Sequence, residues 1–207
     1  MQCGFEKGIA ATKSVIEQGL ILDSLVFNLA KNQGKRINFE KMNKYLVNAS
    51  KNILLNINAN VPSNMTNALA NASSLYFIGR TTGVADEITL KAHEISRKNA
   101  FFYPDTHIVH GIEESIESNP IILFEPAKFK KFIDDFISFS QRINGTLFGI
   151  DSRKVIEGIK IKSTLFFENY CLLAGGWGLL INIAKRLKID IDNPKKALKV
   201  GNPYKGK

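Results

Sequence analysis

Three charged side chains on one predicted helix raise the question of what this chain does. Glu87, Lys91 and Glu94 stand at i, i+4 and i+7, so a helix places all three near one face. A carboxylate next to an ammonium group suits proton transfer: the carboxylate exchanges the proton while the cation steadies the resulting charge. The same spacing also describes a solvent-exposed ladder of ion pairs, and spacing alone favours that reading. The chain's three histidines raise metal binding as another possibility. His107 and His110 can share a helical face, but no acidic or cysteine ligand stands at metal-binding spacing, and no metal is expected.

The elements around these residues follow from hydrophobic patterning. Leu75, Tyr76, Phe77 and Ile78 form an apolar run suited to a buried parallel strand; Gly79 ends it, and helical spacing begins at Val84. Pro120 to Phe124 and Gly145 to Ile150 are two more such strands, with a helix rich in Phe129, Phe132, Phe136 and Phe139 between them. Phe101 to His107 is expected as a short strand or extended loop, His110 to Glu117 as a short helix, and Ile156 to Ile161 as an edge strand. Thr164 to Leu187 reads as a long apolar helix interrupted at Gly175-Gly176-Trp177-Gly178. No strand precedes those glycines, so they serve close packing or a kink rather than phosphate binding. Ahead of the first strand come three helical segments: Gly8 to Asn32, one capped by Asn38, and one running from Pro62 to Ala72. Alternating strands and helices argue for an α/β parallel sheet with helices on both faces, preceded by a helical leader over 1–72.

Several separated motifs carry a resemblance. Gly79-Arg80, Leu90-Lys91-Ala92-His93-Glu94-Ile95-Ser96 and His110-Gly111 occur in that order. Gly8 to Lys13 precedes them and Asp190 to Lys199 follows. Together they resemble the second sugar isomerase (SIS) domain of glucosamine-6-phosphate synthases over nearly the whole chain. The resemblance implies a flavodoxin-like SIS fold over 73–207, with a C-terminal tail. It also implies binding of a phosphosugar and aldose-ketose isomerisation of a hexose or aminohexose 6-phosphate. Glu94 matches the family's proton-shuttling glutamate and His110 the histidine assigned to ring opening. Lys91 lies about one turn before Glu94, and Lys199 matches the tail lysine that reaches the open sugar. Backbone groups at the positions matching Ile9 and Leu198 touch the sugar. Glu94, Lys91 and His110 are expected to converge at the carboxyl ends of the strands, with Lys199 brought near by the tail or by a second subunit.

The match has gaps. Ile112 stands where the family has proline after His-Gly, and Ala11 replaces a serine. The family's Ser/Thr-rich phosphate loop belongs to a first SIS domain, and this chain begins where that domain would end. The expected function is therefore half of a split or truncated isomerase, partnered by a separate first-SIS-domain chain or by self-association. The alternative is a non-catalytic or regulatory phosphosugar-binding module. No cofactor is implied, and no glutaminase activity, since Gln2 stands between Met1 and Cys3.

Composition limits the partners. With 44% hydrophobic residues in 207 the chain can bury a sizeable core. It shows no signal peptide and no apolar run of membrane-spanning length, and its two cysteines lack metal spacing. A cytoplasmic protein with free thiols is expected. The formal charge of +9 gathers toward the C-terminus, from Lys185 to Lys207, without any nucleic-acid-binding signature. A solvated tail or an anionic sugar phosphate accounts for it, and nucleic acid is not the expected partner.

Overall fold

In the computed structural model, which describes residues 4, 6, 8–116 and 118–196, five parallel strands form one sheet in the order β2-β1-β3-β4-β5. The strands are β1 (Ser74–Gly79), β2 (Asn99–Pro104), β3 (Ile121–Phe124), β4 (Leu147–Asp151) and β5 (Gly158–Lys160). The three expected central strands are present and parallel, Asn99–Pro104 is a true strand, and β5 is the expected edge. The apolar runs are explained by burial on both faces. Leu75 and Phe77 join one core cluster, while Tyr76 and Ile78 join the other.

Among the described residues six α-helices accompany the sheet: α1 (Lys13–Asn32), α2 (Phe39–Ile57), α3 (Ser63–Asn71), α4 (Val84–Lys91), α5 (Ile133–Arg142) and α6 (Glu168–Arg186). Phe136 and Phe139 of α5 pack on the Tyr76 face, with short 3-10 turns at His107–Val109, Glu113–Ser115 and Pro126–Phe129 beside them. Residues of α4 and α6 pack on the opposite face, joined there by Ala49 of α2 and by Met65 and Leu69 of α3. The strand order changes direction at β1. Right-handed crossovers on either side of it must then use opposite faces, as α4 and α5 do.

Asn38 caps α2 as expected, its side-chain oxygen accepting from the Lys41 amide at 2.9 Å. At the other end of α2, Asn56 is buried. Its Nδ2 donates to the carbonyls of Lys162 (2.7 Å) and Cys171 (3.1 Å), and its Oδ1 accepts from the Lys162 amide (2.7 Å). A buried amide with its hydrogen bonds met in this way ties α2 to the segment between β5 and α6. The first helix is held more lightly. Its Asp23 accepts from the Tyr170 hydroxyl at 2.5 Å, and Val15, Ile16, Leu20 and Phe27 rest on the core. None of its residues is buried.

The expected interruption of the last helix is absent, because α6 runs continuously through Gly175-Gly176-Trp177-Gly178. The glycines act by packing. A Cβ at Gly176 would lie 2.6 Å from the Ile88 side chain of α4, and one at Gly178 would lie 2.6 Å from the Ile57 carbonyl oxygen of α2. Since backbone cannot yield as a side chain can, we predict that Gly178→Ala lowers stability by about 1–3 kcal/mol in urea unfolding. A change within a few tenths of a kcal/mol would show that the α2–α6 approach is not constrained.

Candidate functional site

The segment that carries the charged ladder changes geometry partway. Helix α4 starts behind Gly83, which takes the left-handed conformation (φ 79°) that a side chain resists. At Ala92 the backbone widens into a π turn, Ala92–Ser96, which left-handed Arg97 (φ 53°) closes just before β2. This path moves Glu94 away from where the motifs place it. Helix α4 sets out from the carboxyl end of β1 and runs back along the sheet for roughly 15 Å, so Glu94 stands near the amino end of β2.

Lys91 is only 2% exposed and lies between both carboxylates of the ladder. Its Nζ is 3.2 Å from Glu87 Oε1 and 3.0 Å from Glu94 Oε2, and both of those oxygens are buried. Lys91 thus pairs with Glu87 and Glu94 at once. Burial pushes the Glu87 carboxyl above its ordinary range; Lys91 opposes that shift, while the charges of Glu94 and Asp86 add to it. An exposed ladder would show none of this.

Glu94 opens on a cavity of about 630 Å³. Ile9 and its neighbours in the leader form one wall, Ile181 of α6 contributes to the lining, and the tail from Ile191 to Lys196 closes another side. Both flanking segments are pinned. Glu6 Oε1 accepts from the amides of Thr12 (2.5 Å) and Lys13 (2.7 Å), and its Oε2 from the Ser14 hydroxyl (2.6 Å). It thereby caps α1 from outside the helix. On the other side the Arg97 guanidinium donates to the Asp190 carbonyl at 2.7 Å. The Asp190 carboxylate in turn accepts from the Asp192 and Asn193 amides at 3.0 and 3.2 Å.

Ile9 thus shares the Glu94 cavity, and Leu198 and Lys199 lie outside the described residues. His110 does not share it. It lines a separate cavity of about 310 Å³ with Asp135, Ser138 and Arg142. It follows β2, whereas Glu94 precedes that strand. The expected convergence of Glu94, Lys91 and His110 at the carboxyl ends is therefore not found within one chain. Lys91 and Glu94 meet near the amino end of β2, and His110 lines a different cavity beside α5.

Helical periodicity missed His93, which lines the Glu94 cavity although it is adjacent in sequence, and Arg97, which closes the π turn. No spacing rule signals a π turn. Among the described residues no group of three or more His, Cys, Asp or Glu side chains is placed to hold a metal ion, and no helix is long and apolar enough to cross a membrane.

No protein-family model and no curated protein sequence matches the chain. Solved structures do. The C-terminal domain of glucosamine-fructose-6-phosphate aminotransferase from Francisella tularensis superposes with a TM-score of 0.71 at 21% identity, covering 93% of this chain and 59% of that one. A protein named as a phosphosugar isomerase from Clostridium difficile 630 gives 0.74 at 22%, covering 95% and 59%. Glucosamine-6-phosphate deaminase from Thermotoga maritima gives 0.65 at 20%, covering 94% and 58%. The chain therefore has the α/β fold of the phosphosugar isomerases, as the motif resemblance implied, and spans less than two thirds of the length of each of these proteins.

Two expectations follow from the site's electrostatics. Removing the buried cation with Lys91→Met strands two carboxylates, and should cost about 3–5 kcal/mol in urea unfolding. Adding Glu87→Gln to that variant should recover part of the loss, and no recovery would show that the pair is not coupled. The second concerns Glu6. Partial burial pushes its carboxyl up, but the Ser14 hydroxyl and the amides of Thr12, Lys13 and Ser14 outweigh that and hold it at about 2. A carboxyl lowered in the folded state stabilises above its ordinary value of 4.5 and loses that contribution as pH falls toward about 2. Amide exchange at Thr12 to Ser14 should accelerate across that window relative to α6, and Glu6→Gln should flatten the dependence.

Proposed function

We propose that this chain is the catalytic half of a phosphosugar isomerase, interconverting the aldose and ketose forms of a hexose or aminohexose 6-phosphate. One observation carries the reading. Glu94, paired to a buried ammonium, stands in the wall of a ligand-sized cavity that the chain closes with its own leader and tail. In this role the Glu94 carboxylate takes the proton from the carbon next to the carbonyl and returns it to the neighbouring carbon through an enediol. Lys91 places positive charge beside the developing enediolate oxygen, and Glu87 holds Lys91 from its other side. Lys199 and the backbone of Ile9 and Leu198 complete the sugar's surroundings, and His110 enters from a second copy.

The phosphate grip is assigned to a first SIS domain on a separate chain. Its seat is the outer face of α1, where Ile21, Leu22, Leu25, Val26 and Leu29 are each more than half exposed. A stripe of that width on one helix is unusual for a surface without a partner. We place the protein in the cytoplasm, where the buried free thiol of Cys171 stays reduced.

The separation of His110 from Glu94 within one chain favours a second reading, a phosphosugar-binding module without turnover. Kinetics decide between them. The chain alone should isomerise fructose 6-phosphate slowly, since remote phosphate binding positions the reacting carbons. Adding a separately expressed first SIS domain should raise the rate, and Glu94→Gln should remove it. Full-strength sugar-phosphate binding with no turnover in the mixture would establish the second reading instead.

A further inference from the structure

The carboxyl ends of the strands, where α/β sheets take their ligands, hold a cavity that the isomerase reading does not use. It measures about 520 Å³ and shares no lining residue with the Glu94 cavity. Asp151, the last residue of β4, and Lys160, the last of β5, both line it. Its charges are four cations, Lys128, Arg153, Lys160 and Lys162, against two acids, Asp151 and Glu168. Both acids are already engaged. The Asp151 carboxylate accepts from the amides of Ala127 (2.9 Å) and Ser152 (2.7 Å). The Glu168 carboxylate accepts from the Ser163 hydroxyl at 3.3 Å and lies 3.9 Å from the Lys128 ammonium. Among the described residues Arg153, Lys160 and Lys162 form no ion pair.

The backbone beneath these cations is fixed. Ile159 and Ile161 turn into the core, so the alternation of an extended chain sends Lys160 and Lys162 together to the other face. The Ile161 amide donates to the Asp151 carbonyl at 2.9 Å, and Asn56 binds both the carbonyl and the amide of Lys162 at 2.7 Å. Thr164 adds a hydroxyl to the lining, and Leu165 and Phe166, each more than half exposed, form its apolar part. Phe166 takes a left-handed conformation (φ 67°) that a bulky side chain resists. Its ring meets those of Tyr45 at 5.8 Å and Phe27 at 6.4 Å, so it is supported from one side while it stays open on another.

We propose that this cavity is a second ligand site, which takes a small phosphate monoester with an apolar, ring-bearing body. Phosphoryl oxygens supply the negative charge that Arg153, Lys160 and Lys162 lack, and a guanidinium suits them in geometry as well as charge. The volume falls within the roughly 300–1,000 Å³ of sites for small organic molecules, more than a phosphate alone fills. Leu165 and the open side of the Phe166 ring seat the body. The site is independent of the isomerase reading.

Phenyl phosphate carries both features and can be titrated into the full chain while the backbone amides are followed by NMR. Saturable shifts should gather at Ser152, Arg153 and 160–166. Arg153→Gln combined with Lys162→Gln should weaken binding by about tenfold or more, since two charge-assisted contacts are lost. Lys195→Gln combined with Lys196→Gln should leave it unchanged. Inorganic phosphate should shift the same amides but bind about tenfold more weakly, for want of the buried ring. Leu165→Ser should weaken phenyl phosphate and spare inorganic phosphate. Shifts spread over the basic residues from Lys185 to Lys196 without saturation, or equal affinity in the Arg153→Gln, Lys162→Gln variant, would overturn the site. Phenyl phosphate binding no tighter than inorganic phosphate would overturn the ligand class.

Discussion

Close approach of α6 to its neighbours is the constraint on which the rest of this structure depends. The helix passes so near α4 and α2 that Gly176 and Gly178 have no room for a Cβ. Because of that contact the leader does not form a separate body: Ala49, Met65 and Leu69 share one core cluster with Phe77 and Ile150 of the sheet. Asn56 serves the same junction by polar means, exchanging hydrogen bonds with Lys162 and donating to Cys171. Packing at interior density leaves such a junction few alternative arrangements.

The cavity inherits its shape from that junction. The π turn bearing Glu94 packs against α6, with Ala92 and Ile95 buried in the shared core. Ile181 of α6 lines the cavity from within. The leader and tail then close over it from two sides, each fixed by a carboxylate that gathers backbone amides, Glu6 at one end and Asp190 at the other. The walls are held by local capping rather than by deep burial, so they can admit and release a ligand more readily than the core can rearrange.

Charge organises the site in the opposite way. Lys91 is almost fully buried, a position that a cation tolerates only with partners, and Glu87 and Glu94 provide them. One carboxylate would neutralise the ammonium. The second leaves the cluster with a net negative charge, and the Glu87 carboxyl is raised chiefly by its burial, with the charges of Glu94 and Asp86 adding to the shift. A cluster that must stay intact to remain soluble in the core is also one whose geometry toward the cavity is preorganised.

The sequence by itself determined the strands, because a strand buried on both faces must be apolar throughout, and Leu75 to Ile78 and Ile121 to Phe124 have no other reading as compatible with short length. It also determined the Asn38 cap, the packing role of the glycines and the ladder of Glu87, Lys91 and Glu94, since each depends on residues within a few positions of one another. What lay beyond it was decided by tertiary contacts. Helix α6 stays continuous through three glycines because its neighbours hold it. Lys91 is buried on a face that spacing alone leaves exposed. Glu94 stands near the amino end of β2 because α4 runs antiparallel to the strands, and His93 joins it because a π turn, for which no periodicity exists, replaces the last turn of helix. Local pattern fixes which face a residue takes. Only the path of the chain across the sheet decides which residues share a cavity, and that is why Glu94 meets Ile9 and His93 rather than His110.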